Sequence, residues 1–144
     1  MKKLIALILV LAFALSLAGI ALADEQDSRI DEVTRRANPP TTVVDLPLPI
    51  SGQFYESTYT EKKFNQSGST CSSTLTVSNT NSNVIISIKL YHDDGTSAGI
   101  QSFPRGNYRD IARTWKNLTS GVYYGYLYKT LTASIAHYAG SFND

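Results

Sequence analysis

Alternation of apolar and polar residues from Ser51 onward is the feature that most limits what this chain can fold into. The stretch 84–91, Val-Ile-Ile-Ser-Ile-Lys-Leu-Tyr, shows it best. Successive side chains of a β-strand point to opposite faces, so this stretch predicts a strand with one buried face. The residues expected to face the core are Val84, Ile86, Ile88 and Leu90. Those expected to point away are Ser87, Lys89 and Tyr91.

Further strands are predicted on both sides of this one, with turn residues recurring about every ten positions. Residues 73–78 alternate with Leu75 and Val77 inward, and residues 122–128 and 131–138 form two later strands. Residues 52–60, 61–65 and 100–103 are weaker candidates. Gly95 follows two aspartates and is free to adopt the positive φ of a tight turn.

Residues 108–118 are ambiguous from the sequence alone. As a helix they would place Ile111, Trp115 and Leu118 on one face, and as a strand Ile111 and Trp115 would share a face with arginines. The surrounding strands favour the second interpretation. The pattern as a whole predicts an all-β chain whose residues 51–144 form one antiparallel β-sandwich, jelly-roll or immunoglobulin-like, of about seven or eight strands.

Two short motifs resemble those of secreted bacterial β-sandwich modules of the pre-peptidase C-terminal type. The first is a strand that ends in Leu-Tyr-x-x-x-Gly, here Leu90 to Gly95. The second is a Leu-x-x-Gly-x-Tyr turn into an aromatic strand, here Leu118 to Tyr123. The resemblance extends over residues 74–128 and implies a β-sandwich fold.

Residues 1–23 have the organisation of a bacterial signal peptide. Lys2 and Lys3 precede an unbroken apolar run over residues 4–15, and Ala21-Leu22-Ala23 supplies small residues at a cleavage site. The run is also long enough to cross a bilayer as an uncleaved helix. Cleavage after Ala23 is favoured because acidic residues follow, and the mature protein is then expected to be secreted.

Residues 24–50 are expected to form a charged arm followed by a Pro-rich linker. The segment 24–36 is too polar to bury a core, which favours a disordered arm or a short removable pro-region. Four prolines within residues 37–50 exclude a helix there and favour extended chain.

Charge and cysteine content exclude several classes of protein. Two of the 13 Lys and Arg residues lie in the leader, so the mature chain is close to neutral against 12 Asp and Glu residues. Nucleic-acid binding needs a marked basic excess and is not expected. Cys71 is the only cysteine, so no internal disulfide can form, and the thiol is interpreted as a small buried hydrophobe.

An aromatic row within residues 122–128 is the best candidate for a binding site. Tyr124, Tyr126 and Tyr128 would share one face of that strand, and Trp115, the only tryptophan, is close in sequence. Tyrosine rows offer flat apolar area with a polar tip, on which sugars or lipid headgroups can stack. The alternative is that these rings simply pack within the sheet.

Few other residues are candidates for a metal-binding or catalytic site. Asp93 and Asp94 beside Gly95 are a weak Ca²⁺ candidate, and a simple turn is favoured because few other acids are near. His92 next to these acids could suggest a hydrolase, but no G-x-S-x-G or H-E-x-x-H motif occurs. We therefore expect no catalytic site, no bound metal and no cofactor.

Three functions remain open at this stage. The favoured one is a secreted, non-catalytic β-sandwich that binds a cell-wall polymer, another polysaccharide or a partner protein. The alternative is a small secreted membrane-active toxin or antimicrobial protein, for which membrane contact is possible. A small hydrolase using His92 and Asp94 is the third.

Overall fold

Ten β-strands form the regular structure of residues 38–78, 80–130 and 134–144, the part of the chain that the computed structural model describes. No helix that could cross a membrane occurs in these ranges. The predicted signal peptide, the charged arm of residues 24–36 and the first residue of the linker lie outside them. The strands are β1 (Val43–Asp45), β2 (Leu48–Phe54), β3 (Ser57–Tyr59), β4 (Lys63–Gln66), β5 (Thr70–Ser78), β6 (Ile85–His92), β7 (Ser97–Arg105), β8 (Tyr108–Lys116), β9 (Gly121–Lys129) and β10 (Ala136–Asn143).

The strands are arranged in two sheets, as the alternation predicted. The six-stranded sheet has the order β1-β4-β9-β6-β7, with β3 also pairing with β9, and the four-stranded sheet has the order β2-β10-β5-β8. All pairs are antiparallel except β1 with β4. The strand count exceeds the expected seven or eight because β1 and β3 are only three residues long, too short for an alternation to be seen.

Two segments differ from their sequence predictions. Residues 43–45 and 48–50, placed in the linker because of their prolines, lie in β1 and the start of β2. Each of these strands pairs on one side only. An edge strand tolerates proline because an N–H that would face its unpaired side is not needed for a ladder hydrogen bond. The last strand begins at Ala136, later than expected, and residues 131–133 lie outside the described part of the chain.

Residues 108–116 form strand β8, which resolves the ambiguity between helix and strand. Its pairing with β5 is irregular between Leu75 and Val77, and Asp110 opposite this point has a φ of 51°. Arg113 leaves the inner face because β8 lies at a sheet edge. Its Nε donates to the Ser102 carbonyl of β7 at 2.8 Å, and its guanidinium lies 5.6 Å from the Phe103 ring.

The core lies between the sheets and contains the side chains that the alternation assigned to it. Val84, Ile86, Ile88 and Leu90 are all at most 1% exposed, and Leu75 and Val77 are buried as predicted. Phe142 of β10 crosses the core to reach β9. A Cβ added at Gly125 would lie 3.0 Å from the Cζ of Phe142, so the missing side chain makes room for this ring.

The Leu-x-x-Gly-x-Tyr motif forms a tyrosine corner at the start of β9. Tyr123 is fully buried, and its hydroxyl donates to the Thr119 carbonyl at 2.7 Å, four residues upstream. Such a corner is a recurring feature of β-sandwiches. It fixes how the chain enters β9, the strand that carries the tyrosine row.

Candidate binding face

Strands β3, β6 and β9 bring five tyrosines together on the outer face of the six-stranded sheet. Tyr124 of β9 is opposite Tyr91 of β6, and Tyr126 is opposite Tyr59 of β3. Outward positions recur every second residue, so Tyr128 follows on the same face. We call this set the tyrosine ladder; its members are Tyr59, Tyr91, Tyr124, Tyr126 and Tyr128.

The rings of the tyrosine ladder form a continuous series of contacts. Tyr91 stacks on Tyr124 with 5.4 Å between ring centroids, and Tyr124 is 5.9 Å from Tyr59. Tyr59 is 4.8 Å from Tyr126, which stacks on Tyr128 at 5.8 Å. These distances lie in the range of favourable aromatic pairs, so the ladder is a preformed aromatic surface.

Burial within the tyrosine ladder is uneven. Tyr124, which lies between Tyr91 and Tyr59 in the series, is 5% exposed, whereas the other four tyrosines are half-buried. Burial raises the pKa of Tyr59 and of Tyr124, and neighbouring phenols add to both shifts, so these groups are neutral at physiological pH. Within the described residues, none of the five hydroxyls hydrogen-bonds to another protein group.

Two lysines lie against the ladder. The ammonium of Lys89 is 4.8 Å from the centroid of the Tyr91 ring, and that of Lys63 is 5.7 Å from the Tyr124 ring. Lys63 also forms a salt bridge with Asp93. Cation–π contacts of this kind hold an ammonium over an aromatic face.

An open groove of about 510 Å³ runs beside the ladder. Ile100 of β7, 51% exposed, forms one side of it. Lys129 forms part of another side and is itself buried; its ammonium donates to the Ser134 carbonyl and lies 5.4 Å from the Tyr55 ring. The lining residues are Glu56, Ser57, Lys89, Tyr91, Ile100, Tyr126, Tyr128 and Lys129.

Three of the four residues proposed from the sequence lie together on this face, and Trp115 does not. Trp115 is on the inner side of the four-stranded sheet, where it packs against Phe142 and donates its indole N–H to the Gly99 carbonyl at 3.2 Å. It is 3% exposed and is a core residue. Tyr59 and Tyr91 were not among the predicted site residues. The outward position of Tyr91 was visible in the alternation, but its pairing with β9 was not.

The His92–Gly95 segment is a hairpin turn. Gly95 has the expected positive φ of 86°, and its N–H donates to the His92 carbonyl at 2.9 Å. Asp94 accepts hydrogen bonds from the Thr96 hydroxyl and N–H, which lower the pKa of its carboxyl, and Asp93 pairs with Lys63. In the described ranges no group of three or more His, Cys, Asp or Glu side chains is placed to hold a metal ion.

The two histidines and the cysteine are far from forming one cluster. His92 packs on Tyr123 with 4.4 Å between ring centroids, whereas His137 is exposed on β10 of the other sheet. Cys71 is fully buried, as expected, and burial raises the pKa of its thiol to about 12. A thiol protonated to that extent is a poor nucleophile at neutral pH.

No protein-family model and no curated protein sequence matches this chain. Among solved structures, the pre-peptidase C-terminal domain of a collagenase from Bacillus anthracis is similar, with a TM-score of 0.50 and 16% identity over 74% of this chain and 95% of that domain. PliG, a periplasmic inhibitor of g-type lysozyme from Aeromonas hydrophila, gives a TM-score of 0.38 at 11% identity over 74% of this chain and 100% of that one. FlgD from Xanthomonas campestris gives 0.39 at 12% identity over 65% and 68%. At these identities the comparison with the collagenase domain shows a shared β-sandwich fold.

Proposed function

We propose that this protein is a secreted, non-catalytic binding module that holds a cell-wall polysaccharide against the tyrosine ladder. The observation that carries the proposal is the unbroken contact of five tyrosine rings on one open sheet face. Such rings combine apolar faces with polar tips, and sugar rings have the same combination of C–H faces and hydroxyl edges.

Shape and hydrogen-bonding capacity favour an extended glycan. Tyr124, Tyr126 and Tyr128 span about 13 Å along β9 at about 3.3 Å per residue, which gives room for consecutive sugar rings. The hydroxyls of the four half-buried ladder tyrosines have no protein partner in the described residues, so they are available to sugar hydroxyls. The groove beside the ladder is open. An open groove suits a long polymer, whereas sites for small molecules enclose most of the ligand.

Secretion is supported by the leader pattern of residues 1–23, with cleavage after Ala23. A non-catalytic role is supported by the chemistry of the described residues. The acids of the His92–Gly95 turn are engaged with Lys63 and Thr96, and the single thiol is buried and protonated. The sandwich shared with the collagenase domain is compatible with a module that binds.

Co-sedimentation with insoluble peptidoglycan tests the proposal. We expect the exported protein to pellet with the wall, and the double variant Tyr126→Ser/Tyr128→Ser to bind about tenfold more weakly. Each lost ring contact is worth about 0.5–1.5 kcal/mol, and 1.4 kcal/mol corresponds to tenfold. These two residues are chosen because they are half-buried, whereas Tyr124 contributes to the fold.

His137→Ser is the matched control, since it removes an exposed ring from the other sheet. Urea unfolding followed by Trp115 fluorescence checks that all variants are folded. Equal wall binding by the double variant and the control would contradict the proposal. Pelleting with anionic liposomes and not with the wall would instead favour the membrane-active alternative.

A further inference from the structure

We infer that the polymer bound by the tyrosine ladder is anionic, and that Lys89 recognises its carboxylate or phosphate groups. This inference rests on the proposed function and specifies its ligand class. It starts from the position of Lys89 on β6, the strand between β9 and β7. In the two pairings of β6, Lys89 is opposite Tyr126 of β9 and Ile100 of β7.

The three lysines around the ladder differ in how their charges are compensated. Lys63 is paired with Asp93. Lys129 is 7% exposed, donates to the Ser134 carbonyl and lies in the field of Glu56, so its ammonium is already solvated by the protein. Lys89 has no carboxylate partner among the described residues, and its ammonium lies over the face of Tyr91.

The contact with Tyr91 places the Lys89 ammonium where a ligand on the ladder would meet it. A sugar ring on Tyr126 would lie beside the residue directly opposite on β6, which is Lys89. An ammonium is a compact charge that pairs with carboxylate and phosphate alike, so one residue serves either kind of anionic polymer. The aromatic face holds the ammonium in place while leaving its N–H donors for an external anion.

The test uses three preparations of Gram-positive wall sacculi. The first is intact, the second has its phosphodiester-linked polymers removed with hydrofluoric acid, and the third has its carboxylates amidated with carbodiimide. Binding of the exported wild-type protein is compared with that of Lys89→Met, Lys89→Arg and the control Lys116→Met. Lys116 is exposed on β8 of the other sheet, so its variant removes the same charge away from the ladder.

We expect Lys89→Met to bind intact sacculi about five- to twentyfold more weakly than wild type, because one charge-assisted hydrogen bond is lost, and with a smaller dependence on salt concentration. Lys89→Arg should retain most of the affinity, and Lys116→Met all of it. The difference between wild type and Lys89→Met should vanish on the preparation that lacks the recognised anion, which identifies phosphate or carboxylate as the group bound.

Equal binding of intact sacculi by Lys89→Met and Lys116→Met would overturn the inference. If the Tyr126→Ser/Tyr128→Ser variant still loses binding in that case, the proposed function stands and only the anionic ligand class is wrong. If the tyrosine variant binds as wild type does, the ladder is not the binding surface, and both statements fall.

Discussion

Gly125 shows how one residue of β9 serves both the core and the outer face. Its neighbours in sequence, Tyr124 and Tyr126, belong to the tyrosine ladder, while its own position faces inward onto Phe142 and Thr60. The absence of a side chain lets the Phe142 ring approach the strand. The strand that carries the ladder is therefore in direct contact with the core at Gly125.

Substitution of Gly125 by Ala should destabilise the fold. The new Cβ would lie 3.0 Å from both the Phe142 Cζ and the Thr60 Cγ2, so one of these groups must move. Overpacking of this kind costs about 1–3 kcal/mol, measured as the decrease in the free energy of unfolding in urea. Gly121→Ala on the same strand is the control, because its nearest contact would be 3.9 Å away. An equal effect of both substitutions would show that Phe142 does not constrain Gly125.

At the scale of elements, the tyrosine corner holds the entrance of β9. The Tyr123 ring packs against the rings of Phe64 and His92. Its hydroxyl donates to the Thr119 carbonyl and so closes the turn. The sequence motif from Leu118 to Tyr123 predicted a turn into an aromatic strand. The hydrogen bond that closes this turn was not predicted.

Tyr123→Phe should lower the free energy of unfolding by about 0.5–1.5 kcal/mol, the usual net contribution of one hydrogen bond. The ring packing is retained, so the loss reports on the hydroxyl alone. Urea unfolding monitored by Trp115 fluorescence measures it. Tyr55→Phe, at an exposed tyrosine outside the ladder, should change stability little. A stability of Tyr123→Phe equal to that of wild type would mean that the corner hydrogen bond does not stabilise the sandwich.

The position of a strand and the facing of its side chains were more predictable from the sequence than the strands with which it pairs. The alternation in residues 84–91 gave the correct core set of β6, because the period of two is a local property. Ser87 of the outward set is also buried, and its hydroxyl hydrogen-bonds to that of Ser102 of β7 at 2.9 Å. The pairing of β6 with β9 joins residues more than 30 positions apart, and nothing in either strand's alternation encodes it. Tyr91 and Lys89 were therefore known to point outward but not known to meet Tyr124 and Tyr126.

The error at Trp115 has a different physical origin. In β8 arginines and apolar residues occupy alternate positions on one face, so the pattern did not show which side was buried. The structure resolves this because Arg113 bends toward the edge and donates to β7, which leaves Trp115 to fill the core. Side chains long enough to leave a sheet at its edge weaken any inference from alternation alone.

At the scale of the whole molecule, the two sheets present different outer surfaces. The four-stranded sheet presents mostly short polar side chains, such as Ser72 and Thr114, whose hydroxyls hydrogen-bond to each other at 3.1 Å. The six-stranded sheet presents the tyrosine ladder, Lys89 and the groove. No disulfide links the two sheets, because the single cysteine, Cys71, is a free thiol buried in the core. The proposed binding surface therefore lies on the outer face of the six-stranded sheet.

The most direct test of this account is to map the contact surface by NMR, titrating the isotopically labelled protein with soluble glycan fragments released from the cell wall. The account predicts that the largest chemical-shift changes occur in β3, β6 and β9, at the tyrosine ladder and Lys89, with little change in β5 and β10. Changes concentrated on the outer face of the four-stranded sheet, around Thr76 and His137, would contradict it.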